Sequence, residues 1–141
     1  MSLHSHEAEQ SVIGACLLDN KLIDRASDVL THADFAALEH AVIWSALVAL
    51  RNAGQACDVV TVAERLEGDQ TSDQVGGLAY LAEIAKNTPS AANGLAYADV
   101  VADLAARRRM VSELDTIGRL AHDKTRPLLT TVDDAQGRLM R

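Results

Sequence analysis

"LAEIAKNTPSAANGLAYADVVAD", residues 81–103, decides how this chain is built. It holds two helical apolar patterns with a stop between them. Leu81, Ala82 and Ala85 continue a face begun at Leu78, and Lys86, Asn87, Thr88, Pro89 and Ser90 then interrupt it. Thr88 fits an N-cap with Pro89 at the first helical position, and Ser90 fits the same role one turn later. Beyond them Leu95, Ala98, Ala102 and Ala105 make one stripe, continued after a small drift by Met110, Leu114, Ile117 and Ala121. That pattern predicts a helix roughly 45 Å long at about 1.5 Å per residue. A globule of the preceding residues should be only on the order of 30 Å across. The stretch therefore divides a compact head, 6–88, from a helical hairpin, 89–141, with 1–5 a disordered leader.

Before the joint the chain reads as short helices. Ala8, Val12, Ala15 and Cys16 recur at helical spacing over Glu7–Leu18, with Ser5 as N-cap and Glu7 and Glu9 in the first turn. Asp19-Asn20 breaks this helix and caps a second, Lys21–Leu30, with Leu22, Ile23, Ala26, Val29 and Leu30 inward. Phe35 anchors the following connector. Leu38–Ala53 is apolar nearly all round, the mark of a central helix, and Gly54 ends it as a C′ glycine. Asp58 caps a helix through Leu66, and Gly76-Gly77 makes a tight turn. After the joint, His122–Pro127 is a turn, and Thr131-Val132-Asp133-Asp134 reads as a capping box for a last helix to Met140. Two helices alone cannot bury a three-sided apolar surface, so the hairpin is expected to pack against the head, against a second copy, or both; a second copy is favoured, because two hairpins make a four-helix bundle.

Composition agrees with an all-α fold: 48% of residues are hydrophobic but only 3% aromatic, so alanine carries much of the core. The net charge of −7 opposes non-specific binding to phosphate backbones. Cys16 and Cys57 lie in apolar helical patterns without metal or disulfide spacing and read as reduced, buried side chains. The N-terminus has no apolar signal region, and the longest apolar run, Ala41–Leu50, is too short to span a membrane.

The sequence excludes more chemistry than it offers. No GxxxxGK[ST] occurs, so no P-loop cradles a nucleotide here. The histidines His4, His6, His32, His40 and His122 make no HExxH and no zinc spacing. Glu7/Glu9 and Asp133/Asp134 are explained as helix-start residues. No catalytic, cofactor-binding or metal-ligating residue is assigned. Arg107-Arg108-Arg109 is the one basic cluster; consecutive residues spread around a helix, and Arg109–Glu113 is an expected intrahelical pair.

Four stretches together carry a family resemblance: "EAEQSVIGACLLD" (7–19), "DVVTVAERL" (58–66), "VGGLAYLAEIAKNTPSAAN" (75–93) and "YADVVADLAARRRMV" (97–111). In order and spacing they resemble the N-terminal domain of the bacterial replicative DNA helicase of the DnaB family. The resemblance implies a helical head and hairpin forming a non-catalytic collar on a hexameric ring in the bacterial cytoplasm. It implies self-association as a dimer, or as a hexamer built from three dimers, with primase as docking partner and a helicase loader as a further one. No direct contact with nucleic acid or membrane is implied. ATP and Mg²⁺ would belong to a motor domain outside this chain. The alternatives are a primase's helicase-binding domain, which is similar, or a stand-alone helical adaptor. On the resemblance, Leu95, Ala98, Val101, Ala102, Leu114 and Ile117 pack within and between hairpins. Glu7, Tyr80, Arg107 and Arg108 lie near partner surfaces, and Thr88, Pro89, Ser90 and Gly94 form the head–hairpin joint. Gly94 stands where the family more often has an apolar residue, which predicts a first turn loosened by roughly 1 kcal/mol.

Overall fold

The structure, a computed structural model, describes residues 2–140. It is all-helical, with no strand among the described residues. The elements are α1 (His6–Leu18), α2 (Lys21–Ala26), a 3-10 turn (His32–Asp34), α3 (Leu38–Asn52), α4 (Val59–Gly68), α5 (Ser72–Val75), α6 (Gly77–Asn87), α7 (Gly94–His122) and α8 (Leu128–Leu139). They form two compact units, Met1–Ala105 and Ala106–Arg141.

In the first unit α3 is central. Its His40, Ile43, Trp44, Ala46, Leu47 and Leu50 are all buried, and it meets α1, α2, α4 and α5. α6 closes the core against α1 and α4, through Leu81 and Ile84. Phe35 anchors the connector as expected, its ring 5.4 Å from that of Trp44. The helix ends follow local chemistry. Ser5 Oγ accepts the Ala8 N–H at 3.1 Å, and Asp58 Oδ1 accepts the Thr61 N–H at 2.8 Å. Gly54, at φ +73, takes the left-handed turn that closes α3, with the Gln55 N–H donated back to Leu50. Cys16 and Cys57 are buried free thiols, and burial pushes Cys16 up to about 12, which leaves it unreactive.

Several expectations fail for identifiable reasons. Of the expected Asp19-Asn20 cap, Asp19 supplies a bond, its Oδ1 accepting the Lys21 N–H of α2 at 3.1 Å, while Asn20 makes no side-chain cap. Its amide instead donates to the Cys16 carbonyl at 2.9 Å and the Cys57 carbonyl at 2.8 Å, and it accepts the Cys57 N–H at 3.0 Å. One side chain thus ties the end of α1 to the approach of α4. α2 stops at Ala26, leaving Val29 exposed. Leu78 is exposed too, because the buried stripe of α6 passes through Leu81 and Ile84.

The joint is also built differently. Thr88 is the C-cap of α6, its hydroxyl donating to the Ile84 carbonyl at 2.8 Å. Ser90 accepts the Ala92 N–H at 3.0 Å, and α7 starts only at Gly94. Ser5 of the supposed leader is the ordered cap of α1; Met1 lies outside the described residues. The compact units divide between Ala105 and Ala106 rather than at Pro89. The reason is burial: Ala98 and Val101 of α7 belong to the first unit's apolar core.

Gly94 is not a soft spot. A Cβ there would lie 2.8 Å from Ala15 Cβ and 3.0 Å from Leu22 Cδ1. The absent side chain lets the start of α7 reach α1. Gly14 of α1 likewise makes room for a neighbour, since a Cβ at that position would collide with the Thr88 side chain. Helix propensity alone makes Gly94→Ala stabilising by about 1 kcal/mol. The packing reverses the sign: urea denaturation should show Gly94→Ala less stable than the parent by about 1–3 kcal/mol, as for an overpacked core. A gain in stability would show that this contact is loose.

Candidate functional site

Glu9 organises the polar interior of the first unit. It sits in the first turn of α1 with 2% of its surface exposed. Its carboxylate lies at the N-terminus of α3, where the local N-cap residue, Ala37, has no side chain able to cap. Glu9 supplies the missing acceptor from another helix. Oε2 accepts the Ala36 N–H at 2.8 Å and Oε1 the Ala37 N–H at 3.2 Å. Oε1 also accepts Nδ1–H of His40 at 2.8 Å, and the His40 side chain is fully buried. The helix dipole and these donors favour the anion. Burial pushes the Glu9 pKa up, but the bonds from His40, Ala36 and Ala37 outweigh it and hold the carboxyl below the usual glutamate value.

The chain of bonds continues. With Nδ1–H given to Glu9, the His40 ring turns Nε2 to the Tyr80 hydroxyl, 2.6 Å away. Tyr80 Oη in turn accepts Nε2–H of Gln10 at 3.0 Å. Burial raises the Tyr80 pKa, against the bond from Gln10, so the phenol keeps its proton. His6 Nε2 lies 3.4 Å from the same oxygen. Helices α1, α3 and α6 are thereby joined through one hydrogen-bonded path. The fold also brings together a donor set that sequence spacing did not reveal: ligand atoms of His6, Glu39 and His40 all lie within 4.8 Å of one another.

The second unit is the opposite case. Among its described residues only Thr131 is buried. Met110, Val111 and Leu114 on α7 are about half exposed, and Leu128 and Leu129 on α8 are 70% and 78% exposed. The expected capping box fails because α8 begins at Leu128, which puts Thr131, Asp133 and Asp134 inside the helix. Asp134 pairs with Arg126 at 2.5 Å. Glu113 meets Arg138 of α8 at 3.1 Å.

The remaining residues singled out from sequence separate into distinct settings. Leu114 is exposed and Ile117 half-buried, both in the second unit. Ala98 and Val101 are consumed by the first unit's core, and Leu95 and Ala102 pack against it, so this section of α7 offers little to a second copy. Glu7, Arg107 and Pro89 are exposed, and Arg108 is half-buried. Tyr80 is half-buried with its hydroxyl turned into the polar path. Sequence reasoning missed Glu9 and His40. The available signal was a long apolar helix starting after Phe35-Ala36-Ala37, with no local residue able to cap it.

Glu9→Ala should cost about 3 kcal/mol or more, because the Ala36, Ala37 and His40 N–H donors lose their acceptor and a buried donor left unsatisfied costs about 1–3 kcal/mol. The folded-state pKa of Glu9 lies below its ordinary value of 4.5. Its stabilisation is therefore fully present above that value and is lost as pH falls through the depressed one. Acid titration of thermal stability should fall more steeply through this window in the parent than in Glu9→Gln; parallel curves would exclude an ionised buried Glu9.

Comparison with known proteins places this architecture. The family model described as "DnaB-like helicase N terminal domain" matches residues 1–103. The chain is 37% identical over 120 residues to the replicative DNA helicase DnaB of Buchnera aphidicola subsp. Baizongia pistaciae, covering 85% of this chain and 26% of that protein. It is 35% identical over 134 residues to the DnaB of Haemophilus influenzae, covering 94% of this chain and 29% of that protein. The chain thus spans under a third of the length of these relatives. The crystal structure of the N-terminal domain of DnaB helicase from Mycobacterium tuberculosis superposes with a TM-score of 0.93 at 30% identity, over 99% of both chains. A DnaB-like replicative helicase, solved in work on its interactions with primase, matches with a TM-score of 0.79 at 26% identity, over 96% of this chain and 31% of that one. The all-α fold and the matches agree, and the chain belongs to the family of DnaB-like helicase N-terminal domains.

Proposed function

We propose that this chain is the N-terminal collar module of a hexameric replicative DNA helicase, contributing self-association and a docking surface for primase. The observation that carries the reading is the end-to-end likeness to an isolated DnaB N-terminal domain, over 99% of both chains. The match to a helicase studied for its interactions with primase supports the choice of partner. In this reading the chain itself does no catalysis. ATP, Mg²⁺ and DNA are handled by a motor domain that this chain does not include, and a helicase loader is a further partner. The assembly works in the bacterial cytoplasm at the replisome; no helix among the described residues is long and apolar enough to cross a membrane.

Physical chemistry supports self-association. A second unit that buries only Thr131 among its described residues, and exposes Leu114, Leu128 and Leu129, leaves apolar area that water penalises. Two such pairs can complete a four-helix bundle. Leu114 and Ile117 are the interface residues on α7. Ala98 and Val101 serve the first unit's core instead. Glu7, Arg107 and Arg108 are the side chains offered to partner proteins.

Light scattering coupled to gel filtration should report a dimer or larger species. Leu114→Asp should weaken association by about 2 kcal/mol, roughly thirtyfold, the scale of an interface hot spot, while helicity of the first unit is kept. Co-elution with the primase of the same organism is the partner test. A monomer at every concentration, together with no complex with primase, would overturn the reading.

A further inference from the structure

We propose that His6, Glu39 and His40 form a binding site for a divalent transition-metal ion of the Zn²⁺ class, where the N-terminus of α1 meets the first turn of α3. Three observations meet there. Their ligand atoms lie within 4.8 Å of one another. The two imidazoles face each other with ring centroids 4.6 Å apart. Both Nε2 atoms also converge on one oxygen, Tyr80 Oη, at 2.6 Å from His40 and 3.4 Å from His6.

The surroundings of His40 are those of a metal-ligating histidine. Glu9 Oε1 holds Nδ1–H at 2.8 Å, which fixes the tautomer and leaves the Nε2 lone pair directed at the other donors. A carboxylate behind the ligating histidine orients the ring and raises its basicity. Two imidazole nitrogens and a carboxylate are a common donor set for zinc, with a fourth position left to water or another oxygen. Tyr80 Oη is such an oxygen. As the ion arrives, the phenol gives up its hydrogen bond to His40 and turns its proton away.

The geometry needs only a small closure. Bonds of about 2.0–2.1 Å in a tetrahedral site put the donors about 3.3 Å apart. His40 is buried and fixed, whereas His6 is exposed and Glu39 half-buried, so both can swing inward by side-chain rotation. The solvent side of the site supplies the entry path. A bound ion would clamp the start of α1 onto α3.

The test is titration of the full, untagged chain with Zn²⁺ by calorimetry and with Co²⁺ by visible absorption. The expected result is one ion per chain and the intense d–d bands of tetrahedral Co²⁺. His6→Ala and Glu39→Gln, both at accessible positions, should each weaken binding by about a hundredfold or more while circular dichroism stays that of the parent; loss of a supporting residue alone costs about 10–100-fold. His4→Ala separates this site from adventitious binding at the N-terminus and should leave the affinity unchanged. Absence of binding, binding that survives His6→Ala and Glu39→Gln, or binding removed by His4→Ala would each overturn the proposal and leave the cluster a purely structural contact.

Discussion

A carboxylate buried at the start of a central helix sets the terms for the whole head. Removing Glu9 from water is costly unless every lone pair finds a donor. Here the donors are the Ala36 and Ala37 N–H groups and His40 Nδ1–H. All three belong to α3 or its approach, so α1 can be docked in only one rotation. His40 then presents Nε2 to Tyr80, which fixes α6 in turn. The polar path supplies orientation, and the apolar packing of Ile13, Leu47, Val62 and Leu81 supplies most of the free energy.

Close approach completes the head. Gly14 admits Thr88, and Gly94 admits Ala15 and Leu22, so α1 receives the end of α6 and the beginning of α7 on its smallest residues. α7 therefore serves both units in turn. Its Ala98 and Val101 finish one core, and its Met110, Val111 and Leu114 stand exposed on the other unit. One unit thus has a finished core, and the other leaves large apolar side chains in contact with water.

Much of this was legible in the sequence, because it depends on local chemistry. The central α3 showed in its nearly continuous apolar surface. Ser5, Asp58 and Gly54 announced their helix ends. The family resemblance rested on motifs that the comparisons match across most of the chain. What was missed depends on partners distant in sequence. Glu9 looked like an ordinary first-turn acid, and only the placement of α3 makes it a cap. Gly94 looked like a propensity defect, and only the proximity of Ala15 and Leu22 makes it a packing requirement. Thr131-Val132-Asp133-Asp134 had the letters of a capping box, but Pro127 starts α8 earlier, as proline does at a helix beginning.

Nitrogen-15 and carbon-13 NMR of His40 and Glu9, in metal-free buffer across acid to neutral pH, tests the organising role of Glu9 most directly. The expected result is an Nδ1–H tautomer for His40 at neutral pH and a Glu9 carboxylate that titrates below the ordinary glutamate range. A His40 carrying its proton on Nε2, with Glu9 titrating at or above that range, would contradict it.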